Sequence, residues 1–169
     1  MTEAPAGPAV PATQLVARAR ELLANNQYLT LATADPSGRP WAATVWYTPR
    51  LRSRSPQRLA LELIWLSRPD AQHSKNLVQR PEVGISIFNS TQPAGTGDGL
   101  QFAALAERVP TDELDAAAAA FSTASLAAGG GAWTRAQVEE PAGARLYIAR
   151  IDRAFLLGSG SRVEVAVLN

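Results

Sequence analysis

The 169-residue chain has no cysteine, one histidine and one methionine, and Lys75 is the single lysine among its 16 basic residues. Without cysteine there are no disulfides, no thiolate metal sites and no cysteine nucleophile. One histidine, His73, argues against a multi-histidine metal centre or a Ser-His triad with imidazoles to spare. No apolar run approaches the ~18 residues of a membrane span, and Met1 to Pro11 lacks the basic and apolar regions of a secretory signal. These absences predict a cytoplasmic protein with no membrane partner. Charge of one sign is also missing, since 16 Lys+Arg face 15 Asp+Glu for a formal net charge of +1. A balance that even provides no field to hold a phosphate backbone, so a nucleic-acid partner is disfavoured. What remains is 46% hydrophobic residues in a length suited to one core.

Three prolines and a glycine among small residues make Met1 to Ala12 a disordered lead, and residues 13–169 read as one domain. Leu15, Val16, Ala19, Leu22 and Leu23 recur at helical spacing behind Thr13, a candidate N-cap. Tyr28 to Thr33 alternates, Asp35-Pro36-Ser37-Gly38 suits a turn, and Trp41 to Thr48 is β-branched and aromatic, so the pair reads as a hairpin. Pro49 to Arg58, with four arginines, reads as a polar loop before a third strand, Leu59 to Ser67. Asp70 is the candidate cap of a short helix running to about Gln79. Strands follow at Glu82 to Ser90 and Leu100 to Val109, then an alanine-rich helix from Leu114 to Ala128, then strands near Arg145 to Leu156 and Arg162 to Leu168. Six or seven strands in succession with three helices predict an antiparallel sheet closed as a small barrel.

His73 and Lys75 lie at the start of the helix after the third strand. There the free backbone N–H groups and the helix dipole favour an anion, and Ser67, Arg68 and Gln72 add donors. The competing reading is an ordinary polar helix start in which Asp70 takes up those N–H groups. Trp46 and Tyr47 are adjacent on one strand and face opposite sides, so one of them meets solvent, a ligand or another chain. Gln101 is a lone polar residue in an apolar strand, for which an outward position is the simple account. Gly95-Thr96-Gly97-Asp98-Gly99 lacks the Lys-Ser/Thr and the strand-to-helix setting of a phosphate loop and reads as a connector.

In order, Gly38-Arg39-Pro40-Trp41, Trp46-Tyr47, Trp65-Leu66-Ser67, His73-Ser74-Lys75-Asn76-Leu77, Pro81-Glu82-Val83 and Gly99-Leu100-Gln101 resemble the pyridoxamine 5′-phosphate oxidase-like flavin-binding split-barrel family. The likeness runs from Leu15 to Val109, with weaker agreement at Leu146 to Leu157. It implies a six-stranded antiparallel split β-barrel that forms a homodimer with FMN at the subunit interface. By position it also implies that Ala43, Thr44, Val45 and Trp46 lie along the flavin ring and ribityl chain. Leu66 and Ser67 would reach the ribityl-phosphate end, Gln72, His73 and Lys75 the phosphate, and Gln101 the ring. The chain departs from the oxidases: Ala43 replaces an arginine, Thr48 a lysine, and Gln72-His73 an Arg-Lys pair. These departures argue against pyridoxamine phosphate oxidase activity itself. The implied function is an FMN-binding oxidoreductase acting on a small substrate, with Trp46, Tyr47 or Trp133 as candidates for the substrate face. A deazaflavin-dependent reductase, or a non-enzymatic flavin or haem binder of the same fold, is the alternative.

Overall fold

The computed structural model describes residues 11–55, 58–158 and 161–165. Helix α1 (Ala12–Asn25) begins one residue before Thr13 and has Pro11 as its N-cap, so Thr13 lies inside the helix rather than capping it. Most of the expected N-terminal lead falls outside the described residues. Strands β1 (Tyr28–Ala34) and β2 (Pro40–Ser55) form the expected hairpin. Its turn is held by Asp35, whose Oδ1 accepts from the Ser37 and Arg39 N–H groups, and Gly38 takes the positive φ of +86° that the reversal needs.

The expected polar loop at Pro49 to Arg58 is instead ladder: β2 runs on to Ser55 and pairs with β3 (Arg58–Ser67). Arg50 and Arg52 do not break the strand because the carboxylates of Glu62 and Glu113 neutralise them. Arg50 lies 2.7 Å from Glu62, and Arg52 lies 2.7 Å from Glu113. Helix α2 (Gln72–Gln79), β4 (Glu82–Phe88), β5 (Gly99–Arg108), α3 (Leu114–Ala127), a short α4 (Arg135–Val138), β6 (Arg145–Gly158) and β7 (Ser161–Glu164) complete the order. The sequence offered no apolar period for α4. Thr134 and Gln137 set it by a reciprocal capping box.

Every pairing is antiparallel. The ring β3-β2-β1-β4-β5-β6 closes where β6 returns to β3, giving the expected six-stranded barrel, and β7 extends the sheet beyond it. Period-two alternation fills the inside with Leu29, Leu31, Leu63, Trp65, Ile85, Ile87, Leu100 and Phe102. Each such side chain contributes about 1.5–3 kcal/mol by leaving water. Ala19, Leu22 and Leu23 of α1 join this core, and the Tyr47 hydroxyl donates to the Leu23 carbonyl across 3.1 Å. Helix α2 packs against β1 and β2, with Leu77 in the same core. On the outside, α3 and α4 cover the outward residues of β3 and β6, burying Ile64, Leu146, Ile148, Leu114, Phe121 and Val138 in a second cluster.

Candidate functional site

The β2–β3 ladder stops at Tyr47↔Trp65. Upstream, Pro40 to Trp46 pairs with β1 alone, while Leu66 and Ser67 pair with β6 alone. The two strands therefore part where Trp46 and Val45 would face Leu66 and Ser67, and Ala43 and Thr44 lie beyond the end of β3. One edge of β2 keeps backbone N–H and C=O groups with no strand beside them, and such groups need a partner. Helix α2 starts five residues after the end of β3, which carries His73 beside Ser67. Its Nε2 lies 2.7 Å from the Ser67 Oγ.

At this end the structure corrects the expected cap. Asp70 is engaged by Arg68 through two contacts of 2.9 Å, and both side chains are exposed. The N-cap is Ala71, without any side-chain cap. With Asp70 turned to Arg68, no side chain among the described residues caps the first turn of α2. His73 is 8% exposed, and burial lowers its pKa from the ordinary histidine value, so it is neutral at pH 7. Gln72 faces out and donates to Asn76 Oδ1 at 2.8 Å, Asn76 donates to Thr33 Oγ1 at 2.9 Å, and Lys75 is exposed. Ser74, which the sequence did not single out, is 1% exposed, and its hydroxyl has no hydrogen-bond partner among the described residues.

Alternation splits the β2 candidates. Ala43 and Val45 have the parity of the barrel interior, while Thr44 and Trp46 point outward. Tyr47 is 3% exposed and cannot line a substrate face. Trp46 is half-buried: α3 packs on it, with Phe121 edge-on at 5.1 Å and Trp133 at 6.3 Å from Phe121. Leu66 packs against the same cluster. The sequence could show that Trp46 and Tyr47 part company, but not that a helix 70 residues downstream would roof the outward one.

Gln101 does face outward, on a different surface. Cross-strand register sets Thr44, Thr30, Ser86, Gln101 and Phe155 in one row over the barrel wall, beside a row of Ala42, Ala32, Gly84 and Ala103. A cavity of about 350 Å³ lies there, lined among others by Thr30, Ser86, Gln101, Phe155 and Arg162. The Arg162 guanidinium sits 4.9 Å from the centre of the Phe155 ring. Phe155 and Arg162 were missed because only the ladder brings them to Gln101. Thus Ser67, His73 and the β2 edge converge at the split, Gln101 and Thr44 share the wall, and nothing in one chain joins the two. Among the described residues no group of three His, Asp or Glu is placed to hold a metal ion, and no helix is long and apolar enough to cross a membrane.

The donors at the split fit a phosphate-bearing cofactor. Free N–H groups at α2, the Ser67–His73 pair and Lys75 suit the anion, and an unpaired strand edge suits the amide-like rim of a planar ring. The family model for pyridoxamine 5′-phosphate oxidase matches residues 15–157. No curated protein matches the chain significantly. A heme binding protein from Mycobacterium smegmatis is similar in structure, at TM-score 0.66 and 24% identity over 93% of this chain. This chain spans 58% of that protein's length. HutZ, a heme storage protein from Vibrio cholerae, aligns at TM-score 0.60 and 20% identity, covering 84% of this chain and 95% of its own. An F420 reductase aligns at 0.54 and 18%, covering 80% and 94% respectively.

Proposed function

The chain belongs to the pyridoxamine 5′-phosphate oxidase family, and from that membership we propose a homodimeric FMN-binding oxidoreductase that acts on a small planar substrate. The opened β2–β3 ladder carries this reading, because it leaves the β3-side edge of Ala43 to Trp46 without a strand, beside Ser67 and the uncapped start of α2. Bound there, FMN supplies reversible transfer of electrons and hydride. Ser67, Gln72, His73 and Lys75 hold its phosphate, and the β2 edge orients its ring. Leu66 and Trp46, fixed from behind by α3, exclude water from the ribityl side. Gln101 reaches the ring from the wall of the second copy. The uncharged rows over β2, β1, β4 and β5, flanked by the exposed Tyr28 and Phe88, are the surface a second copy covers.

Haem is the second reading. It is favoured by the single imidazole of the chain standing beside Ser67 at the same split, and by the heme-binding proteins that share the fold. A deazaflavin takes the place of FMN if the phosphate donors prove too few. The test is an absorption spectrum, with mass spectrometry of the ligand released from protein purified from its native host, and light scattering of the same sample. Two visible flavin bands, the mass of FMN and twice 17.9 kDa are expected. A Soret band that His73→Ala abolishes establishes the haem reading instead. Protein that purifies with no chromophore and takes up neither cofactor refutes both.

A further inference from the structure

Arg145 opens β6 directly across from Ser67, the last residue of β3, and it is 5% exposed. Residues that face each other in a ladder leave the sheet on the same side, so the Arg145 and Ser67 side chains share the inward face with Trp65 and Tyr147. Ser67 in turn lies 2.7 Å from His73 Nε2. Three buried polar side-chain atoms lack a hydrogen-bond partner among the described residues: Trp65 Nε1, Ser74 Oγ and Arg145 Nε. All three belong to neighbours of the Ser67–His73 pair. Trp65 is two residues back on the same face of β3, Arg145 is across from Ser67, and Ser74 follows His73 on α2. Buried polar groups are paired as a rule, so unmet ones gathered at one end of the barrel mark where a further polar group belongs.

The charge of Arg145 is only weakly answered. Its Nη1 donates to the backbone carbonyls of Ala142 and Ala144, which are neutral, and its one carboxylate contact among the described residues is Glu140, 3.4 Å from Nη2. That carboxylate is 73% exposed and shared with Arg108, so water screens it. Glu139, next in the chain, is held through both oxygens by Arg135. The half-buried arginines of the sheet are treated differently: Arg50 has Glu62 and Glu113, and Arg150 has Glu62, Glu107 and Glu113. A guanidinium withdrawn from water beside two carbonyls and a screened carboxylate favours a second anion on the face it shares with Ser67. We propose that Arg145 is the buried counter-charge of a phosphate monoester seated at Ser67, His73 and the uncapped start of α2. The inference rests on the reading of the split as the site of a phosphate-bearing cofactor. It adds a cation inside the barrel end, where Lys75, exposed on α2, does not reach.

The measurement is the ratio of FMN to riboflavin affinity of the full chain, read by flavin fluorescence, because the two ligands differ by the phosphate alone. Arg145→Gln should lower that ratio about tenfold, weakening FMN and leaving riboflavin in place, as expected for the loss of one buried charge contact. Arg145→Lys, which restores the charge without the planar fork, should return most of the ratio, and a lysine no better than glutamine overturns the role of the charge. A purely structural role in the loop of Ala142 to Ala144 would weaken both ligands alike, so an unchanged ratio in Arg145→Gln overturns the proposal. So does equal affinity of the wild-type chain for FMN and riboflavin. If Arg145→Gln does not fold, Glu140→Gln decides. It removes the competing carboxylate at an exposed position and should widen the ratio about threefold, the worth of one screened ion pair, and no widening overturns the proposal. If the chain takes up no flavin, the reading of the split falls by itself, and inorganic phosphate still tests Arg145. Phosphate should raise the melting temperature of the wild-type chain over chloride at equal ionic strength; no rise there, or an equal rise in Arg145→Gln, overturns the proposal.

Discussion

Replacing Glu62 by alanine tests the network that joins the barrel to α3. Glu62 is 2% exposed and faces three guanidiniums, with Arg50 at 2.7 Å, Arg52 at 3.6 Å and Arg150 at 3.7 Å. Breaking a buried ion pair from one side costs about 3–5 kcal/mol, mostly for the charge left behind. Here the cost is reduced, because Arg50 keeps Glu113 at 3.1 Å and Arg150 keeps both Glu107 and Glu113. The expected loss is therefore about 2–3 kcal/mol, or a drop of about 4–12 °C in melting temperature at this chain length. Glu62→Gln, which keeps the volume and one acceptor but not the charge, should lose about 1–2 kcal/mol. Arg52→Ala should lose less than about 1 kcal/mol, because its side chain is 49% exposed and water screens its pairs. Urea unfolding of the three variants measures all of this, and a cycle with Arg50→Met isolates the Arg50–Glu62 coupling. If Glu62→Ala loses under about 0.5 kcal/mol, water replaces the network without cost and the buried-pair reasoning fails.

Gln101→Leu should weaken FMN binding or shift the flavin spectrum with little change in apo-protein stability, since one hydrogen bond is worth about 1 kcal/mol; an unchanged spectrum and affinity remove Gln101 from the site. His73→Ala and Lys75→Ala should each narrow the preference for FMN over riboflavin by about 1–3 kcal/mol, as measured by fluorescence titration, and full retention in both places the phosphate elsewhere. His73 also gives a sign to stability against pH. Its folded pKa lies below the unfolded value of 6.5, so the unfolded chain binds the extra proton and stability falls as pH drops through 6.5. Its replacement by Asn should flatten that slope in urea titrations at pH 5.5 and 7.5. Tyr47 is raised above the ordinary tyrosine range by burial, so ultraviolet titration should find one tyrosine that resists ionisation until the protein unfolds, and Tyr47→Phe should remove it at about 1 kcal/mol.

The sequence by itself determined the closed antiparallel barrel and its hairpins, because a period of two and the turn chemistry of Asp35 to Gly38 are local properties that each strand carries alone. It also pointed to Ser67 and His73, six residues apart across a strand end and a helix start, which the turn at Pro69 to Ala71 brings together. Tertiary structure decided what depends on register and on distant partners. Pro49 to Arg58 reads as loop because the carboxylates that neutralise Arg50 and Arg52, Glu62 and Glu113, lie 10 to 63 residues away, and a charged run becomes strand only when such partners arrive. Asp70 read as a cap because its competitor, Arg68, acts by side-chain reach and not by period. That α3 packs on Trp46 was not legible, because Phe121 comes from an alanine-rich helix with no local mark of where it docks. The split between β2 and β3 and the wall that sets Gln101 beside Arg162 are both products of ladder register. A ladder is written in pairs of residues that the chain keeps far apart until the barrel closes.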